Sequence, residues 1–134
     1  MPPGSASTFN DLELSYTLNM SQMKALSSCV GLLCDVVDSR HSDRGKVHEA
    51  VLGAIVDANA AVPALDELRV TVGDEMQGVY ATLGSALRAR QQLIDSLWGV
   101  ADLRFGIGGG EIQVVDEQRG IQDGSAWWLA REAI

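Results

Sequence analysis

The stretch Val70-Thr71-Val72-Gly73-Asp74-Glu75-Met76-Gln77-Gly78-Val79-Tyr80 constrains the fold of this chain more than any other. Val70 and Val72 alternate with Arg69 and Thr71, the period-two pattern of a half-buried strand. Gly73 takes a positive φ without steric penalty and Asp74 tolerates turn geometry, so the chain reverses there and resumes as a strand through Val79 and Tyr80. The product is a hairpin with an acidic tip, Asp74 and Glu75 held by two strands. Carboxylates on a rigid turn suit a magnesium-type cation, which takes oxygen ligands and keeps part of its water. A solvated turn is the plain alternative, because Gly-Asp is ordinary turn chemistry.

Upstream, residues 27–37 form a near-continuous apolar run that ends in acid, the pattern of a central strand covered on both faces. Asp35 interrupts it near its end. An ionised carboxylate is not buried alone, so Asp35 meets a cation, a donor or the sheet edge. Cys29 and Cys34 lie five positions apart in this run, which places them on opposite faces and predicts two free buried thiols.

The polar segment 38–45 leads into a helix, with Ser42 or Asp43 as its N-cap. Amides in such a turn can hold an anion, which makes Ser39 and Arg40 candidates for phosphate contact. His41 and His48 lack a third ligand nearby in sequence and read as capping or solvated side chains. Val47, Val51, Ala54, Ile55 and Ala58 form the helical stripe of residues 44–60. A second helix spans 81–98, with Leu83, Leu87, Arg90, Ile94 and Leu97 in its stripe, widened by Ala86 and Leu93. Residues 102–115 read as strand, glycine-rich turn, strand; the glycines suit a turn, a bulge or the close approach of a ligand. They precede strand pattern rather than a helix, which excludes a dinucleotide loop. A terminal helix from Asp123 carries Trp127, Ala130 and Ile134 on one face, and the chain stops without a helix-ending signal, the mark of a C-terminally truncated domain.

The 134 residues suffice for one domain, with residues 23–134 as its body and residues 1–22 as a flexible N-terminal extension in which Pro, Gly, Ser, Thr and Asn dominate. Met20 and Met23 are both candidate natural starts. The net charge of −8 argues against direct nucleic-acid binding, where Lys and Arg replace counterions, but leaves room for a nucleotide. No apolar run reaches membrane-spanning length and no signal peptide is visible, so the chain reads as cytoplasmic.

The element order predicts an α+β fold, a ferredoxin-like sheet with helices packed on one face. In that topology the first two long strands run parallel, with the third antiparallel between them. The end of the Asp35 strand and the Asp74 turn then share one edge of the sheet, although 39 positions separate them in sequence. With a helix N-terminus after Asp38, the edge becomes a candidate metal–phosphate pocket: Asp35 and Asp74 for Mg²⁺ or Mn²⁺, Glu75 as a supporting acid.

Four groups of residues carry a resemblance: Cys34-Asp35-Val36-Val37-Asp38-Ser39-Arg40; Val70 to Gly78; Arg104-Phe105-Gly106-Ile107-Gly108 with Gly110-Glu111-Ile112; and Asp123-Gly124 with Trp128 and Ala130-Arg131-Glu132-Ala133-Ile134. In this order they resemble the bacterial SatD family over roughly residues 27–134. More distantly they resemble the class III nucleotidyl cyclases, in which a first-strand Asp and the Asp of a Gly-Asp hairpin hold two divalent metals; Asp35 and Asp74 match those positions. The cyclase resemblance implies a nucleotidyl-cyclase-like sheet, a phosphate contact for Arg131 and a homodimer paired through the sheet face. An ion pair to a nearby acid is the other reading of Arg131. Two cyclase residues are replaced: Trp127 stands where an Asn precedes the last-helix Arg, and Val70 where a Lys reads the base. Fuller-length SatD-like proteins often continue into a segment resembling a DNA-binding helix-turn-helix, and this chain ends before any such segment.

Three functions follow as expectations. The first is a regulatory nucleotide- or phosphate-sensing domain that binds a nucleoside triphosphate or another phosphate ligand through a metal. The second is an active metal-dependent nucleotidyl-transfer or phosphohydrolase enzyme of cyclase type. The third is a metal-free protein-interaction module whose acids are structural.

Overall fold

The computed structural model describes residues 25–39 and 43–134, with the backbone alone for 25–27 and 39. Its elements are β1 (Ala25–Ser39), α1 (Arg44–Ala61), β2 (Asp66–Val70), β3 (Glu75–Tyr80), α2 (Leu83–Ser96), β4 (Ala101–Asp116), β5 (Ile121–Asp123) and α3 (Ser125–Ala133). The strands form one sheet in the order β2-β3-β1-β4-β5. Each neighbouring pair is antiparallel, so β1 and β2 run parallel with β3 between them, as the ferredoxin-like reading requires. The N-terminal extension and Arg40 to Ser42 lie outside the described residues.

β1 is the central strand because both its faces are apolar. Leu32 and Cys34 point into a core with Val51, Ile55 and Ala58 of α1 and Ala89 and Leu93 of α2. Cys29 and Leu33 point the other way, into a smaller core with Val79, Ile112 and Ala126, Trp127 and Ala130 of α3. The alternation that separates the two cysteines therefore builds two cores. Both thiols are free, and burial pushes Cys34 up to about 12, which keeps it protonated at neutral pH. The two long helices share one face of the sheet, and α3 covers part of the other.

The helix ends follow local chemistry. Asp43 caps α1, its Oδ1 accepting from the amides of Gly45 at 2.9 Å and Lys46 at 3.3 Å. Thr82 caps α2 by accepting from the amide of Ser85 at 3.1 Å. Asn59, near the end of α1, donates to the Leu68 carbonyl at 3.0 Å and accepts from its amide at 2.9 Å, which ties α1 to the edge strand β2. The α1 stripe is buried at all five expected positions. Of the expected α2 stripe, Ala86, Leu93 and Leu97 are buried, but Leu83 and Leu87 are exposed and Ala89 is buried instead. Two alanines let the helix lie close to its neighbours, and this shape fit outweighs the burial of two leucines. Arg90 lays its guanidinium 5.2 Å from the Phe105 ring centroid, its stem along the core edge.

The glycine-rich segment does not turn. β4 runs unbroken from Ala101 to Asp116, with Gly108 opposite Gly31 and Gly109 opposite Val30. The reversal comes later, between β4 and β5. The glycines answer to helix packing instead: a Cβ on Gly106 would stand 2.0 Å from the Ala130 carbonyl oxygen, and one on Gly108 would stand 2.1 Å from that of Ala126. Bare backbone at these positions is the seat of α3. The close approach anticipated from glycine is therefore made by the chain's own helix.

Candidate functional site

The β2–β3 turn has the expected geometry, with Gly73 at φ 59° and the Glu75 amide donating to the Val72 carbonyl at 3.0 Å. Register then brings the strand-end residues together. Asp35 lies opposite Glu75 on one side and opposite Arg104 on the other. With a period of two, Asp35 shares the face of Leu33, Glu75 that of Gln77 and Val79, and Arg104 that of Gly106 and Gly108. All three belong to the α3 side of the sheet.

Their charges pair off. Arg104 Nη2 donates to Asp35 Oδ2 at 2.6 Å. Arg131 of α3 forms a fork on Glu75, Nη1 to Oε2 at 2.7 Å and Nη2 to Oε1 at 2.8 Å. These hydrogen bonds hold the Glu75 carboxyl below its ordinary value, against a smaller opposing effect of burial. A carboxylate lowered by folding adds stability above its unfolded pKa and loses that contribution as pH falls through the folded one. The stability gap between wild type and Glu75→Gln is thus expected to be largest above pH 4.5 and to close on further acidification. Urea titrations at a series of pH values measure it. A gap that stays constant down to pH 3 would show that the fork adds nothing to stability.

Asp74 stands apart from this cluster. It is exposed at the hairpin tip and lines a small cleft with Val36, Val37, Asp38, Arg44 and Val47. The hairpin and the β1 end thus share one edge of the sheet, but Asp35 and Asp74 serve different surroundings. The expected Mg²⁺ or Mn²⁺ calls for converging oxygen donors. The carboxylates are right in kind, yet Asp35 is held by Arg104 and Glu75 by Arg131. Among the described residues no three His, Cys, Asp or Glu side chains converge into a metal-binding group. In this arrangement Asp35 is ion-paired to Arg104 on the α3 side, while Asp74 faces the cleft of Val36, Asp38 and Arg44. Ser39 ends β1 beside this region, its side chain outside the description together with Arg40.

The larger concavity, of about 740 Å³, opens on the α3 side. One wall is the end of β2 and its turn, Arg69 to Val72; the other is the β4–β5 turn, Arg119 to Gln122; Trp127, Trp128 and Arg131 of α3 close it. Arg69 bridges the walls, donating to Asp66 Oδ2 at 2.6 Å and to the Gly120 carbonyl at 3.1 Å. Asp66 Oδ2 also accepts from Gln122 Nε2 at 2.9 Å, and Gln122 Oε1 accepts from Trp127 Nε1 at 3.0 Å. Trp127 is thereby a buried packing residue with a satisfied indole. Trp128 is 62% exposed, its ring fixed by a 2.6 Å bond from Nε1 to Asp123 Oδ1. Three arginines and one carboxylate, Glu75, line this cleft in a chain of net charge −8.

Sequence reading marked Arg131 and Glu75, quoted Arg104 and Trp128 only within the resemblance, and gave no role to Arg69 and Arg119. Arg69 and Arg104 each read as the solvated member of an alternating strand. Only the curl of the sheet brings residues 69, 119 and 131 around one space.

No protein-family profile matches the chain, and no curated protein matches it significantly in sequence. Solved structures do match in fold. The monomeric guanylyl cyclase domain of the RhoGC fusion protein from the aquatic fungus Blastocladiella emersonii superposes with a TM-score of 0.60 at 13% identity, over 82% of this chain and 76% of that one. The catalytic core of a rhodopsin-guanylyl cyclase with converted specificity, in complex with ATPαS, gives 0.60 at 13%, over 82% and 73%. The adenylate/guanylate cyclase/hydrolase from Silicibacter pomeroyi gives 0.56 at 21%, over 81% and 69%. At these identities the likeness is one of architecture: the chain has the α+β fold of nucleotidyl cyclase domains.

Proposed function

We propose that this chain is a regulatory nucleotide- or phosphate-binding domain on a cyclase-like fold, with its ligand in the cleft between the β2–β3 and β4–β5 turns. The observation that carries the reading is the composition of that cleft. Arg69, Arg119 and Arg131 gather three guanidinium groups around one cleft of a strongly acidic chain, each paired with a carboxylate (Asp66, Asp116 and Glu75), beside a fixed, exposed Trp128 ring. Guanidinium groups match phosphate oxygens in pairs, and an indole face stacks on a purine or another flat ring. The volume of about 740 Å³ is that of a small-molecule site. One fold neighbour, solved with ATPαS, supports a nucleotide as the ligand class.

Binding without turnover is favoured by the replaced residues. Trp127 is engaged in packing and in its bond to Gln122, so it does not act as the cyclase Asn does, and Val70 offers no hydrogen bond to a base. The SatD resemblance points to a regulatory role in the same way. Calorimetric titration of the chain with ATP, GTP and pyrophosphate, each with and without Mn²⁺, tests the proposal. Binding of at least one of them at micromolar to low-millimolar concentration is expected. A folded protein that takes up none of the three refutes a phosphate ligand. Release of cyclic nucleotide or of free phosphate would favour the enzymatic reading.

A further inference from the structure

We infer that Arg104 is the built-in counter-cation of the strand-end carboxylates, so that this site works without the divalent metal its acids suggest. Asp35 and Glu75 occupy directly opposite positions on β1 and β3 and share one face of the sheet. Like charges in that relation repel. Two solutions exist for paired carboxylates: a divalent cation between them, or cationic side chains beside them. The chain has the second. Arg104 reaches Asp35 from the opposite position on β4, and Arg131 reaches Glu75 from α3. Across β4, β1, β3 and α3 the row reads Arg104, Asp35, Glu75, Arg131, two positive groups outside two negative ones, so the row carries no net charge of its own.

Arg104 is 55% exposed and Asp35 29% exposed, so their bond adds little to stability. Its consequence is local charge. A guanidinium about 5 Å from a divalent ion lowers the ion's affinity by about tenfold even at the dielectric constant of water. Removing Arg104 would leave two adjacent carboxylates with one arginine, a site that then calls for a cation. The role belongs to Arg104 because its register opposite Asp35 places it there whatever occupies the cleft.

The inference concerns the same region as the proposed ligand cleft, and its test uses the metal alone. Mn²⁺ binding is followed by electron paramagnetic resonance of the free ion, and thermal melting is recorded with and without Mn²⁺. The proteins are wild type, Asp35→Asn, Arg104→Gln, Arg104→Lys and the double variant Asp35→Asn/Arg104→Gln. Wild type and Arg104→Lys are expected to bind no Mn²⁺ that Asp35→Asn removes. Arg104→Gln is expected to gain Mn²⁺ affinity by about tenfold or more and to melt higher with the ion, and the double variant to lose both effects. Stoichiometric Mn²⁺ binding by wild type that Asp35→Asn abolishes would overturn the inference and restore a metal at Asp35 and Asp74. A folded Arg104→Gln variant with no gain over wild type would overturn it as well. If Arg104→Gln does not fold, the wild type against Asp35→Asn and Arg104→Lys decides. Failure to bind nucleotide would leave these outcomes unchanged, so the two proposals fall separately.

Discussion

Gly108→Ala is expected to destabilise the fold by roughly 3 kcal/mol, while Gly109→Ala, one position along the same strand, changes stability by less than about 1 kcal/mol. The contrast follows from what each new methyl group meets. At Gly108 a Cβ would stand 2.1 Å from the Ala126 carbonyl oxygen, 2.5 Å from the Ala130 amide nitrogen and 2.9 Å from the Leu129 Cβ. Two of these are backbone atoms of α3 and have no rotamer through which to yield. The helix must lift from the sheet, which opens the core of Cys29, Leu33, Val79, Ile112 and Trp127. At Gly109 the nearest atom is the Cys29 carbonyl oxygen at 3.9 Å, an ordinary contact. Urea denaturation followed by tryptophan fluorescence measures both variants, and the emission of the folded Gly108→Ala protein should shift red as Trp127 meets water. Equal midpoints for the two variants would mean that α3 is not seated on β4 at Gly108.

Arg131→Ala is expected to weaken binding of a nucleotide or pyrophosphate by about tenfold to a hundredfold, the range of one lost charge-assisted contact. Glu75→Gln is expected to act in the opposite sense and strengthen binding severalfold, because Glu75 occupies both terminal nitrogens of Arg131 in the ligand-free arrangement. Arg88 provides the control. It lies on α2, across the sheet from the cleft, with a 3.3 Å bond to Ser85, and Arg88→Ala should bind as wild type does. Calorimetry on the four proteins separates the cases. Equal affinities for wild type and Arg131→Ala would remove the cleft from consideration as the ligand site. Equal losses in Arg131→Ala and Arg88→Ala would indicate that net charge, and not a site, drives the binding.

Much of the architecture was legible because it rests on local periodicity. The alternation up to Val70, the turn at Gly73 and the stripe from Val47 to Ala58 identified strands, hairpin and helix; Val72, expected on the buried face of the strand, lies beyond the end of β2 and is 81% exposed. The two-sided apolar run placed β1 at the centre and set Cys29 and Cys34 in different cores. From the order of elements came the parallel relation of β1 and β2, with the Asp35 and Asp74 segments at one edge.

The misreadings share a physical cause. Glycine suits a turn as well as a packed strand, and its choice at positions 106, 108 and 110 depends on a helix that begins at Ser125. Leu83 and Leu87 are as apolar as any core residue, yet they are exposed while the small surface of Ala89 faces inward beside the expected Ala86, because packing rewards fit as well as hydrophobicity. By itself, then, the sequence determined the order of the elements, the acidic hairpin, the identity of the central strand and the presence of acids at its end. The tertiary structure alone decided what those acids hold. Their partners Arg104 and Arg131 lie 69 and 56 positions away in sequence, and only strand register and the docking of α3 bring those guanidinium groups within hydrogen-bonding distance.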